Sequence, residues 1–130
     1  MVKDSISNLI ISLKNASMTG KETVSAPATK MTISILDVLK KKNYIDGYSL
    51  EGDDPKKVAI ISVKYENGNP AIHDVKRVSK LSQRIYKGVK NIKPVKSGYG
   101  MLILTTPKGI LTDKEATDKK VGGEALFKIW

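Results

Sequence analysis

The residues best suited to chemistry lie between Gly98 and Glu124, a stretch that reads GYGMLILTTPKGILTDKEATDKKVGGE. An apolar run leads into a small, hydroxyl-rich turn, Thr105-Thr106-Pro107-Lys108-Gly109, and a paired glycine later precedes Glu124. Short hydroxyls, a lysine and bare backbone suit RNA phosphates, sugars and base edges better than they suit bond-making. Bond-making groups are scarce. His73 is the single histidine and there is no cysteine, so disulfides and thiolate metal sites are excluded and nothing favours a transition-metal centre. No serine occupies a glycine elbow that would build a triad through His73, which reads as a strand histidine beside Asp74. Gly98-Tyr99-Gly100 lacks the third glycine of a dinucleotide loop, and a strand follows it instead of a helix. Asp53 and Asp54 adjoin Pro55 in an exposed turn, not in a paired acid–base site. We therefore expect no catalytic, cofactor-binding or metal-binding residue, and no enzyme.

The charge supports a polyanionic partner. The chain carries a formal net charge of +10 over 130 residues. Residues 1–66 hold 10 Lys/Arg against 8 Asp/Glu, a net of +2; residues 67–130 hold 13 against 5, a net of +8. The second half thus supplies most of the attraction for a polyanion. Its cations recur through strands and loops: Lys76, Arg77, Lys80, Arg84, Lys87, Lys90, Lys93, Lys96 and Lys108, interleaved with Tyr86 and Tyr99. Lysines act as point charges on phosphates, and a tyrosine stacks on a splayed base or rests on a sugar. Packing at the edge of the core is the alternative for both tyrosines. The lysines do not collect on one amphipathic helix, as a membrane surface would require. No stretch approaches the ~18 apolar residues of a membrane span, and no apolar segment follows a basic start. A cytoplasmic protein is expected.

The elements that must position these residues follow from periodicity. Asp4 or Ser5 caps a first helix with Ile6, Leu9, Ile10 and Leu13 on one stripe, ending near Asn15. Residues 22–26 form a strand. Thr29 caps a second helix carrying Met31, Ile35, Val38 and Leu39, with Ile33 and Leu36 beside them. Lys40, Lys41 and Lys42 close it, where cations are favoured by the helix dipole. Strands at 44–50 and 58–65 follow, and Asn67-Gly68-Asn69-Pro70 marks the boundary between two small domains. The first, residues 1–66, is expected to place two helices on a three-stranded sheet. The second, residues 67–130, is expected to be mostly antiparallel β with a short helix. Its predicted strands are 72–78, Arg84-Ile85-Tyr86-Lys87, 101–105, 109–111 and 125–130. Thr112 and Glu115 stand at capping-box spacing for a helix from Asp113 to about Lys119, and Gly122-Gly123 turns the chain. The fold class is α+β.

Taken together, these motifs resemble a known family. Gly98 to Glu124 is similar to the C-terminal signature of the eighth protein of the bacterial small ribosomal subunit. That signature is a Gly-x-Gly strand, a Ser-Thr-Ser-Lys-Gly turn, a step into a helix with Thr-Asp, and Val-Gly-Gly-Glu. Asp4-Ser5-Ile6 through Lys14-Asn15-Ala16 resembles the family's opening helix, and Ala26-Pro27-Ala28-Thr29-Lys30 its Pro-x-Ser-Lys loop. Val78-Ser79-Lys80 and Arg84-Ile85-Tyr86-Lys87 resemble its central segment. Two departures stand out. Pro107 brings neither hydroxyl nor N–H where the family has serine, and Leu13-Lys14 lacks an arginine common there.

The resemblance implies a structural constituent of the small ribosomal subunit. It would bind ribosomal RNA directly, at an irregular helix in the central domain, and help assemble the platform. By the same resemblance, Thr105, Thr106, Lys108, Gly109, Glu124, Tyr86, Arg84 and Lys87 contact RNA. Asn15, Thr29 and Lys30 add auxiliary contacts to its backbone. Implied partners are small-subunit proteins five and twelve and, in some members, the protein's own messenger RNA; the free protein is expected to be a monomer. The competing reading is a messenger-RNA repressor acting outside the ribosome.

Overall fold

A computed structural model describes residues 5–53, 56–80, 82–93 and 100–130. Asp4, Asp54, Pro55, Lys96, Gly98 and Tyr99, singled out above, lie outside the described residues. Contacts divide the chain into two compact units, residues 1–73 and 74–130. The architecture is the expected α+β.

In the first unit the elements run α1 (Ser5–Thr19), β1 (Thr23–Pro27), α2 (Lys30–Lys41), β2 (Ile45–Glu51) and β3 (Val58–Val63). The strands form an antiparallel sheet in the order β1-β3-β2. Central β3 alternates, with Ala59, Ile61 and Val63 buried and Val58, Ile60 and Ser62 half-buried. One face therefore carries the core and the other stays open. The two helices supply the rest of that core. From α1 come Leu9, Ile10, Leu13 and Ala16, and from α2 come Ile35, Leu36 and Leu39.

Two details differ from expectation. Helix α1 runs past Asn15 to Thr19, because Ala16 and Ser17 add a buried turn. Gly20, at φ +74°, then ends it, with the Lys21 N–H donating to the Ala16 carbonyl at 3.0 Å. The buried stripe of α2 begins at Thr32, while Met31 faces outward. Thr32 is tolerated there because the Thr29 hydroxyl donates to its hydroxyl at 2.9 Å and accepts from its N–H at 3.1 Å. Across the unit, Tyr48 Oη donates to Asp37 Oδ1 at 2.6 Å. That hydrogen bond, helped by burial and the carboxylate charge, holds the phenol's pKa above its ordinary value.

The break expected at Asn67 is instead a tight hairpin. Strand β4 (Tyr65–Glu66) pairs with β5 (Asn69–Pro70), and Asn67 and Gly68 both adopt positive φ, +53° and +81°. An Asn-Gly pair in that conformation is the turn that joins twisted antiparallel strands. Tyr65 anchors the hairpin: its hydroxyl lies 2.7 Å from the Lys21 carbonyl and 3.1 Å from that of Ala16. The first unit consequently extends to His73, beyond the position read from Asn67-Gly68.

The second unit contains β6 (Val75–Arg77), β7 (Tyr86–Lys87), β8 (Met101–Thr106), β9 (Gly109–Thr112), α3 (Asp113–Asp118) and β10 (Gly123–Ile129). The terminal strand β10 is central: β6 and β7 pair with one edge of it, β8 with the other, and β9 lies beyond β8. Leu102, Leu104, Leu111, Ala116 and Ala125 form a core, flanked by Val78, Ile92, Val121 and Trp130. Helix α3 begins in the expected capping box. The Glu115 N–H donates to Thr112 Oγ1 at 3.2 Å, and the Thr112 N–H to Glu115 Oε1 at 3.1 Å.

Two predicted strands are shorter than expected. Residues 72–78 pair only over Val75–Arg77. Residues 84–87 pair only at Tyr86–Lys87: the Ile85 carbonyl still accepts from the Ala125 N–H, but the Ile85 N–H is taken by a side chain described below. Gly123 is not a turn residue but the first residue of β10, and neither Gly122 nor Gly123 has positive φ.

Candidate nucleic-acid interface

The sheet of the second unit brings residues distant in sequence into one row. Glu124 on β10 pairs directly with Tyr86 on β7 and with Thr105 on β8, and Thr105 pairs with Ile110 on β9. Directly opposed residues of antiparallel strands share a face. Tyr86, Glu124 and Thr105 therefore stand side by side, with the carboxylate in the middle. Tyr86 is 71% exposed, which sets aside packing at the core edge. Arg84 reaches the same point from the loop before β7: its Nη1 lies 3.1 Å from Glu124 Oε2. The Glu124 side chain is only 14% exposed and that of Arg84 is 43% exposed, so the carboxylate is largely enclosed while the guanidinium still meets solvent.

The turn after β8 is built by its own residues. Proline fixes φ near −65°, which suits the first corner of a reverse turn. Gly109 then takes φ +107°, in the region where a side chain is strained. Thr106 Oγ1 closes the turn, donating to the Gly109 carbonyl at 2.8 Å and accepting from the Lys108 N–H at 3.1 Å. The Thr106 hydroxyl is thus committed within the turn. Thr105, its neighbour on the opposite face, makes no hydrogen bond through its hydroxyl among the described residues. Lys108 is exposed at the tip.

A scaffold beneath the row escaped sequence reasoning. Ser79 is fully buried, and its hydroxyl holds both backbone groups of Ile85, accepting from the N–H at 2.8 Å and donating to the carbonyl at 3.2 Å. The Ala125 N–H also donates to the Ile85 carbonyl, at 2.8 Å. These bonds fix the loop that delivers Arg84 and Tyr86. Arg77, counted above among the RNA-facing cations, donates through Nη1 to the Leu126 carbonyl at 2.9 Å. Leu126 sits in the β10 bulge, where the register with β8 slips between Ala125 and Phe127. Gly122 and Gly123 let β10 come close to its neighbours. A Cβ on Gly122 would meet the Lys87 carbonyl, and one on Gly123 would meet that of Thr105. The signal for Ser79 is a serine at a strand end, which alone does not separate a loop residue from a clamp.

The auxiliary set lies in the first unit. Asn15 is exposed on α1, a full turn before the helix end where it was expected. The Thr29 hydroxyl serves as the α2 cap, and Lys30 is exposed at the first position of that helix. Lys40 and Lys41 occupy the last turn of α2 and Lys42 its cap. Among the described residues there is no cluster of His, Asp or Glu able to hold a metal ion. No described helix is long and apolar enough to cross a membrane.

The chain is similar to known proteins over nearly its whole length. The family model described as ribosomal protein S8 matches residues 4–130. Small ribosomal subunit protein uS8 of Rhodopseudomonas palustris (strain BisA53) is 45% identical over 128 residues, covering 98% of this chain and 97% of that protein. Small ribosomal subunit protein uS8 of Nitrobacter hamburgensis and that of a Bradyrhizobium species (strain BTAi1) are each 44% identical over the same coverage.

Proposed function

The chain belongs to the ribosomal protein S8 family, and from that premise we propose that it binds ribosomal RNA directly through the Tyr86–Glu124–Thr105 row. It is a structural, non-enzymatic protein of the small ribosomal subunit. The observation that carries the RNA reading is the row itself: base- and sugar-reading groups converge at a sheet end in a half-chain of net +8. Arg84, Lys87 and Lys108 border it with positive charge. The proposed target is an irregular helix in the central domain of the small-subunit RNA, where a widened shallow groove exposes sugars and base edges. Binding there helps build the platform, beside small-subunit proteins five and twelve. The protein works in the cytoplasm as a free monomer before assembly. Asn15, Thr29 and Lys30 add backbone contacts, and a messenger RNA that reproduces the ribosomal helix would occupy the same row.

A binding titration against overlapping fragments spanning the small-subunit RNA, at fixed salt, tests this. One central-domain fragment should bind at least about 1,000-fold more tightly than the rest. Affinities that merely follow fragment length would overturn the proposal.

Neutralising Arg84, Lys87 and Lys108 together should weaken RNA binding and flatten its salt dependence. The log–log slope should fall by up to about 0.7–0.9 for each phosphate that the protein ceases to neutralise. Neutralising Lys40, Lys41 and Lys42 should change the slope far less, since these lysines sit where the α2 dipole favours them. A larger effect from the Lys40 cluster would move the interface to the first unit.

The threonines should separate. Thr105→Val keeps the shape and removes an uncommitted hydroxyl. It should leave the melting temperature unchanged and cost on the order of 1 kcal/mol of RNA binding. Thr106→Val breaks the hydrogen bonds that close the turn. It should lower the melting temperature first and binding only as a consequence. Equal binding by Thr105→Val and the parent would make this hydroxyl a bystander.

A further inference from the structure

We infer that Arg84 and Glu124 form a charge-swap gate, which admits RNA only where a neutral hydrogen-bond donor and a phosphate arrive together. The inference rests on the RNA-binding reading above and names the chemistry that the row selects.

Glu124 is the one acidic group in the row, and it is enclosed, with a side chain 14% exposed. At neutral pH a carboxylate accepts hydrogen bonds and donates none. Among the described residues its only polar partner is Arg84 Nη1, at 3.1 Å on Oε2. A phosphate laid on the row would face this carboxylate and be repelled. The groups that fit there are donors: an exocyclic base amino group or a ribose 2′-hydroxyl. Tyr86 and Thr105 flank Glu124 in the same row, and a hydroxyl can both donate to and accept from sugar and base edges but can only donate to a phosphate oxygen.

Arg84 carries the other half. Its guanidinium is partly solvent-exposed and suited to phosphate. Turning it fully to a phosphate strips Glu124 of its partner and leaves an enclosed carboxylate unpaired, which is costly. A regular duplex holds its phosphates and its groove 2′-hydroxyls at one fixed spacing, so where that spacing puts a phosphate at Arg84 without a donor at Glu124 it bears that cost. An irregular helix that presents a donor at Glu124 and a phosphate at Arg84 satisfies both groups at once. The pair thereby discriminates by penalising the wrong ligand as well as by rewarding the right one.

Titrations of two RNAs test the gate: the tightest-binding central-domain fragment, and a fully paired duplex of equal length and base composition. The proteins are the parent, Glu124→Gln, Arg84→Gln and the double variant, each checked for an unchanged melting curve. Glu124→Gln should bind the duplex about three- to tenfold more tightly, because Arg84 is then released from its ion pair to meet a phosphate. It should bind the central-domain fragment about tenfold more weakly. In the Arg84→Gln background the duplex gain should vanish, because no guanidinium remains to be released. A duplex gain that persists undiminished there overturns the swap, leaving Glu124 as a background charge. Equal weakening of both RNAs by Glu124→Gln overturns it too. If the parent does not distinguish the two RNAs, the RNA-binding reading itself fails.

Variants of the fragment lacking single amino groups or single 2′-hydroxyls identify the donor. One such position should weaken binding to the parent and leave Glu124→Gln unaffected, and its chemistry names the source. The absence of any such position in both sets overturns the donor half of the gate.

Discussion

Replacing Gly123 by alanine is expected to lower the melting temperature by about 10 °C or more and to abolish high-affinity RNA binding with it. The added Cβ meets the Thr105 carbonyl oxygen, lies 2.9 Å from the Thr105 carbonyl carbon and 3.0 Å from Thr106 Cγ2. Two of these neighbours are backbone, which cannot swing aside as the tip of a long side chain does. Relief requires β10 to move away from β8, and β10 is the strand on which the sheet of this unit is built. Forcing extra volume into a packed site costs about 1–3 kcal/mol or more, a large share of the ~5–15 kcal/mol that holds a domain folded. In a protein of this size each kcal/mol moves the midpoint by several degrees. Gly88→Ala is the control. A Cβ there meets nothing within 4 Å, and the residue already has φ −74°, so its stability should stay within ~0.5 kcal/mol of the parent. A Gly123→Ala protein that melts with the parent would show that the β8–β10 approach has room to spare.

The difference between Gly123 and Gly88 also shows what the sequence could and could not reveal. The stripe Leu9, Ile10 and Leu13 and the pair Thr112 and Glu115 are local patterns, decided within one or two helical turns, and both became the elements they signalled. The turn 105–109 and the strands around it were legible for the same reason. Other features depend on which strands become neighbours. Nothing local places Glu124 between Tyr86 and Thr105; that follows only once β7 and β8 take opposite edges of β10. Arg77 looks like one more cation until the fold brings it to the Leu126 carbonyl, which it binds alongside the Val78 N–H. Gly122-Gly123 looks like a turn because paired glycines usually supply positive φ, whereas here they supply the absence of a Cβ. Asn67-Gly68 reads as a break. Its hairpin is in the local code, but its attachment to the first unit depends on the distant contact of Tyr65 with Ala16 and Lys21.

The same dependence on distant partners makes Ser79 the most consequential residue that need not touch RNA. Its hydroxyl is an acceptor for the Ile85 N–H and a donor to the Ile85 carbonyl, in a site with no exposure to water. Ser79→Ala removes both bonds. The Ile85 carbonyl keeps the Ala125 N–H as a donor, so the greater loss falls on the Ile85 N–H. An orphaned buried donor costs about 1–3 kcal/mol. The loop can avoid that cost by peeling away to let water reach Ile85, and Arg84 and Tyr86, on either side of it, would leave the row as it does. Ser79→Ala should therefore lower stability by about 2 kcal/mol and weaken binding of the central-domain fragment tenfold or more even where the protein remains folded. Ser79→Thr keeps the hydroxyl and should restore part of the binding if its methyl fits. Amide hydrogen exchange provides the decisive reading. Protection at Ile85 should collapse in Ser79→Ala while that of Ile103 and Phe127, fully buried on β8 and β10, persists. If Ile85 stays protected and binding is unchanged, the loop is held by its ladder to β10 alone, and the serine is a passive occupant of the core.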